Sequence, residues 1–248
     1  MDLNERQQVD EMRAENARLI ALLDARGIEW QKSAMTPERA LTKPASPVPP
    51  RFSTAEKIAL FRRLFHGRSD VYPIRWESKK GTSGYAPACA NEWRPGVCEK
   101  PRIKCADCGH RVLLALDDQV IFNHLTGHHV IGVYPMLPDD SCHFLAVDFD
   151  AEDWRSDAVA FAQSCRELEV PVAIEISRSG NGAHAWIFFS ESVPARDARR
   201  LGSAIISFTC ARTRQLALNS YDRLFPNQDT MPKGGFGNLI ALPLQMKA

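Results

Sequence analysis

No stretch of the chain approaches the eighteen or so consecutive apolar residues that a membrane span needs, so no span is expected. There is no internal repeat, and no low-complexity tract beyond one proline-rich stretch. A basic segment leading into an apolar run is missing at the start. Met1 is followed by Asp2 and Glu5, which argues against a signal peptide. Without an export signal, seven cysteines predict a reducing, cytoplasmic compartment, where clustered thiols point to metal rather than to disulfides. Net charge is also nearly absent, at +1 over 248 residues.

That near-balance hides an asymmetry. Residues 51–113 carry 13 Lys and Arg against 6 Asp and Glu; residues 114–170 carry 2 against 11; residues 171–248 carry 9 against 5. An acidic block between two basic ones suits an acidic metal centre flanked by anion-binding surfaces. The hydrophobic fraction of 44% and charged fraction of 25% are those of an ordinary globular chain. The length allows one large domain, or one domain with an insert and a tail.

Residues 1–30 read as an N-terminal helix. Val9, Met12, Asn16, Leu19 and Leu23 fall at a/d spacing, the seam of a short coiled coil suited to self-association or docking. Residues 31–52 hold five prolines and read as a linker. Ser53-Thr-Ala-Glu56 has the form of a capping box and opens a helix carrying Ile58, Phe61, Leu64 and Phe65. Residues 53–248 then form one domain. Val71–Trp76 is expected as a strand. Strands are also expected at Phe144–Phe149, Val172–Ile176, Ala183–Phe189 and Leu239–Leu242, with helices at Asp153–Glu169 and Ala195–Arg214. Taken from Phe144 onward, this is a βαββαβ order in the α+β class, the ferredoxin-like or RRM-like unit.

Chemistry concentrates in three places. Phe144-Leu-Ala-Val-Asp-Phe-Asp150 ends a strand in carboxylates at i and i+2. Alternate strand residues share a face, so Asp148 and Asp150 point the same way and repel; a divalent cation would offset that cost. A plainer reading makes them caps for the following helix. Ser177-Arg-Ser-Gly-Asn-Gly-Ala-His184 is a Gly-rich turn ending in a histidine, suited either to phosphate or to a simple hairpin. Cys89, Cys98, Cys105 and Cys108 lie within twenty residues inside an insert over 85–113, and four thiolates satisfy a tetrahedral structural Zn²⁺. His110 is a substitute ligand. Trp93, Lys100, Arg102, Lys104 and Arg111 give this segment the basic and aromatic character of a nucleic-acid contact. Cys142, Cys165 and Cys210 read as core residues, and His124, His128 and His129 as structural or substrate-facing.

Three stretches carry a resemblance: Tyr134 to Asp150, Ser177 to Phe189, and Ser220 to Gln245. Together they resemble the archaeo-eukaryotic primase superfamily, most closely the primase domain of TOTE conflict systems, over roughly residues 53–245. The resemblance implies a DNA-directed primase-polymerase: an RRM-like catalytic core with an N-terminal α/β portion, acting in DNA replication on a single-stranded DNA template with nucleoside triphosphates. Asp148, Asp150 and Asp222 would hold two Mg²⁺ or Mn²⁺ ions, with Asp229 a rival for the third place. Ser177, Arg178, Ser179, Gly180, His184 and Lys233 would bind the nucleotide. A helicase in the same polypeptide or operon is an implied partner. His184 follows Ser179 by five residues, where several branches have six. The same carboxylates could instead serve a metal-dependent nuclease or phosphodiesterase, or sit in a silent nucleic-acid-binding module.

Overall fold

The computed structural model describes residues 52–150, 152–213 and 220–246, with scattered positions between 14 and 26. Chain contacts divide it into Met1–Arg51 and Phe52–Ala248. The described positions between 14 and 25 are helical. Val9, Met12, Asn16, Leu19 and Leu23, and the prolines of the linker, lie outside the described residues.

In the second unit α1 (Thr54–Leu64) opens on the expected capping box: the Ser53 hydroxyl accepts from Glu56 N–H, and Glu56 accepts from the Ser53 N–H at 2.7 Å. A hairpin follows, β1 (Pro73–Glu77) with β2 (Ser83–Pro87), then the cysteine segment, α2 (Asp118–Leu125) and a short β3 (Gly132–Val133). The rest runs β4 (Ser141–Phe149), α3 (Trp154–Glu167), β5 (Ala173–Ile176), β6 (Ala183–Pro194), α4 (Ala195–Thr213), β7 (Tyr221–Phe225) and β8 (Ile240–Ala241). The fold is mixed α/β with small antiparallel sheets. Among the described residues no helix is long and apolar enough to cross a membrane.

The largest sheet has four strands in the order β5-β6-β4-β7, every pair antiparallel. This corrects one expectation. The strand that closes the sheet is Tyr221–Phe225. The segment expected in that place forms β8, which pairs with β3 in a separate two-stranded sheet. Polar Asp222 and Arg223 disguise β7 in the sequence, whereas apolar Leu239–Leu242 advertises a strand without saying which partner it takes.

β4 is buried on both faces, which explains its nearly unbroken apolar run. Leu145, Val147 and Phe149 pack with Trp154, Phe161 and Cys165 of α3 and Ala198 and Ile205 of α4. Phe144 and Ala146, with Trp186 and Phe225, face a second core of Phe61, Phe65, Ile121, Val133 and Ile240. Periodicity along α3 and α4 thus marks the buried stripe, although Leu168 and Phe208 are exposed. Cys142 and Cys165 are fully buried, and Cys210 is partly so.

β7 is tied down where it begins. Ser220 O accepts from Asp150 N–H at 2.7 Å, while Ser220 N–H and hydroxyl donate to the buried Asp157 of α3 at 3.2 and 2.7 Å. Asp157→Ala leaves both donors unpaired and is expected to cost about 2–4 kcal/mol in urea unfolding, with Asp157→Asn recovering part of it because one acceptor oxygen remains.

Candidate metal and nucleotide site

Along the second face of the sheet, apolar residues give way to polar ones in register. Phe144 pairs with Phe188 and Ala146 with Trp186; one step further, Asp148 pairs with His184, and His184 with Glu175. On the other side Ala146 pairs with Phe225 and Asp148 with Arg223. A row of charge, Glu175–His184–Asp148–Arg223, therefore crosses all four strands where the apolar cover ends.

Asp222 joins this row through an irregularity. Between Asp148 and Phe149 the partner on β7 jumps from Arg223 to Tyr221, so Asp222 is the extra residue of a bulge. Strict alternation would send it toward the helices; a bulge re-aims a side chain. Carboxylate oxygens of Asp148, Asp150 and Asp222 come within 4.8 Å of one another, and this is the one such group of three or more possible ligands found among the described residues. Arg223 Nε donates to Asp222 at 2.6 Å. Neither Asp148 nor Asp150 is the N-cap of α3, which is Asp153. Asp229 lies elsewhere. It pairs with Arg199 and lines a groove with Asp139 and Ser141, at the opposite end of β4.

The Gly-rich turn closes over the end of β4. Ser177 N–H donates to Gly182 O, the Ser177 and Ser179 hydroxyls are 3.1 Å apart, and Ser179 Oγ accepts from Asn181 N–H. Gly180 has φ of +78°, open only to glycine at low cost. At Gly182 a Cβ would stand 2.5 Å from Asp150 Oδ1 and 2.7 Å from Phe149 O, so only glycine admits so close an approach. Arg178 lies within electrostatic reach of Glu77 and Tyr85 on the β1–β2 hairpin. Lys233 is not drawn in with these groups: its neighbours Met231 and Gly234 are held by Asp140, just before β4 begins, and by Arg111.

His184 is nearly buried between two acids. Nδ1 donates to Glu175 Oε2 at 2.7 Å, and Nε2 faces Asp148 Oδ1 at 3.5 Å. Burial alone would lower the imidazole's pKa, but the bond and charge of Glu175, with Asp148 and Asp150, raise it. Asp148 is pushed up to about 6, first by burial and then by Asp150 and Asp222, against the pull of His184 and Arg223. Glu175 escaped the sequence reading because a lone glutamate in a short apolar strand carries no motif; its cross-strand partner identifies it.

The four clustered cysteines behave differently. Cys89, Cys98, Cys105 and Cys108, with His110, line one cavity of about 20 Å³, and the Cys89 sulfur accepts from Val112 N–H at 3.3 Å. The sulfurs are not drawn within the spacing that the carboxylates show. Trp93 stands two-thirds exposed nearby, with Lys100 Nζ 5.7 Å from its ring centre. His124, by contrast, is fully buried and bonded to Pro243 O and Ile131 N, a structural histidine.

A raised carboxyl pKa works against the folded state as pH climbs. The unfolded Asp148 ionises near 4 and the folded one near 6, so its contribution is present below 4 and lost as pH rises through about 6. Asp148→Asn, which cannot ionise, is therefore expected to gain stability over the metal-free parent between pH 4 and 7.5. The gain should reach about 2–3 kcal/mol by urea unfolding in chelator.

The family model described as the TOTE conflict system, Archaeo-Eukaryotic Primase domain, matches residues 56–248. No curated protein matches the chain. The match spans well over half of the chain, which belongs to the archaeo-eukaryotic primase domain family of TOTE conflict systems.

Proposed function

We propose that this primase-family chain is a primase-polymerase, joining nucleoside triphosphates to a 3′-hydroxyl on a single-stranded DNA template. The observation that carries this reading is the convergence of Asp148, Asp150 and Asp222 beside a glycine turn and a histidine. On this reading the β4–α3–β5–β6–α4–β7 segment is the RRM-like catalytic core.

The donor set fits hard divalent cations. Three carboxylates supply oxygen ligands only, and the upward push on Asp148 is relieved by a cation. Asp148, Asp150 and Asp222 would hold two Mg²⁺ or Mn²⁺ ions. Such ions supply Lewis-acid stabilisation of the attacking and leaving oxygens. The chain's own groups do the rest. Ser177 and Ser179 line the turn and offer hydroxyl donors to phosphate oxygens, while Gly180, whose N–H donates to Ser177 O, sets the turn's shape. His184 presents Nε2 toward the same space. Arg178, an exposed cation on that turn, extends the anion-binding surface toward the β1–β2 hairpin. Lys233, held apart with the Arg111 side of the molecule, is not assigned to the triphosphate.

The cysteine cavity fits Zn²⁺ by donor type, with Cys89, Cys98, Cys105 and Cys108 as ligands and the Val112 N–H supporting one sulfur. Its basic and aromatic surroundings would hold DNA by phosphate contact and stacking. About one zinc per chain is expected by atomic emission from purified protein, falling to background in a Cys105→Ser, Cys108→Ser variant.

Primer synthesis with labelled nucleotides, Mn²⁺ and single-stranded DNA tests the catalytic reading. Nucleotide-dependent extension is expected, lost at least a thousandfold in Asp148→Ala with Asp150→Ala. DNA shortened without added nucleotides would instead assign the carboxylates to hydrolysis.

A further inference from the structure

Glu175 has no place in the three sequence stretches that resemble primases, yet it is bonded directly to the site histidine. It sits on edge strand β5, opposite His184 and on the same sheet face as Asp148. One oxygen, Oε2, accepts from two donors: His184 Nδ1 at 2.7 Å and Trp186 Nε1 at 3.2 Å. The Trp186 ring meets the His184 ring edge-on, with centroids 5.8 Å apart. The imidazole is thus held by a hydrogen bond at Nδ1 and a T-shaped contact with the indole.

We infer that Glu175 is a positioning residue, which holds His184 with Nδ1–H turned away from the site and Nε2 turned into it. A carboxylate only accepts, so the proton must sit on Nδ1, and the ring cannot flip without breaking that bond. Nε2 is left facing Asp148 and the space beside the glycine turn. This rests on the nucleotidyl-transfer reading for its consequence, but not for its geometry. Trp186 belongs to the aromatic core with Phe65 and Phe144, so the grip is anchored in rigid packing. Glutamate meets the need better than a shorter acid would, since it must reach both a cross-strand neighbour and the indole two residues further along β6.

The test has two arms. In metal-free, ¹⁵N-histidine-labelled protein, at a pH alkaline enough that the imidazole is neutral, the His184 Nδ1 resonance should be that of a protonated nitrogen in the parent and in Glu175→Gln, whose amide oxygen still accepts. It should show mixed tautomers in Glu175→Ala. In primer extension, Glu175→Ala should lose about 10–100-fold in kcat/KM for nucleotide, the range typical of removing a partner that orients a site ligand. Glu175→Gln should restore most of it, and Glu175→Ala should cost nothing further in a His184→Ala background. A parent-like resonance in Glu175→Ala, unchanged kinetics, or a full additive loss on top of His184→Ala would each overturn the inference. If no variant, nor the parent, extends primers, the nucleotidyl-transfer reading fails and the nitrogen resonance alone decides the positioning: mixed tautomers in Glu175→Ala uphold it, and a retained Nδ1–H overturns it.

Discussion

Mutual repulsion of three carboxylates is the constraint around which this domain is built. Asp148, Asp150 and Asp222 come from two strands and a bulge, and nothing in their own chemistry draws them together. Their approach is enforced by backbone pairing of β4 with β7, by Ser220 clamped between Asp150 and Asp157, and by two cores that bury β4 on both faces. Close packing makes such a strand difficult to deform. The unfavourable cluster is held by burial elsewhere in the domain.

Charge balance across the sheet follows the same logic. The row Glu175–His184–Asp148–Arg223 alternates acid and base, so each strand's charged residue faces an opposite neighbour. Asp150 lies within electrostatic reach of His184 and Arg223 but forms no ion pair with either, and the turn at Gly182 comes close enough that no side chain intervenes. The acids therefore outnumber the bases at the rim of the face, which leaves the site short of positive charge. A divalent cation supplies it on the proposed function. On the same proposal the Gly-rich turn, with its hydroxyls and exposed Arg178, would receive the anion brought by that cation.

Much of this arrangement was legible in the chain. Phe144–Phe149 announced a strand, the i, i+2 acids announced a shared face, and the helices on either side of Val172–Phe189 were marked by their apolar stripes. The ends of elements moved by a few residues: β4 begins at Ser141 and β6 runs on to Pro194. What stayed hidden depended on partners distant in sequence. β7 reads as polar because two of its five residues, Asp222 and Arg223, lie beside Asp148 in the charged row. A bulge at Asp222 leaves no mark on composition, and the bond from Glu175 to His184 exists only once β5 and β6 are paired. The distinction between Asp222 and Asp229 was likewise spatial: they are seven positions apart, but one lies at each end of β4.

Manganese binding followed by electron paramagnetic resonance tests the central claim most directly, because it reads the carboxylate centre without requiring turnover. Titrating Mn²⁺ into the full chain in the presence of a nucleoside triphosphate analogue should give two bound ions, with the altered line shape of a close pair. Asp222→Asn should lose at least one of them. Binding of the same number and strength in Asp222→Asn, or no binding to the parent at millimolar Mn²⁺, would contradict it.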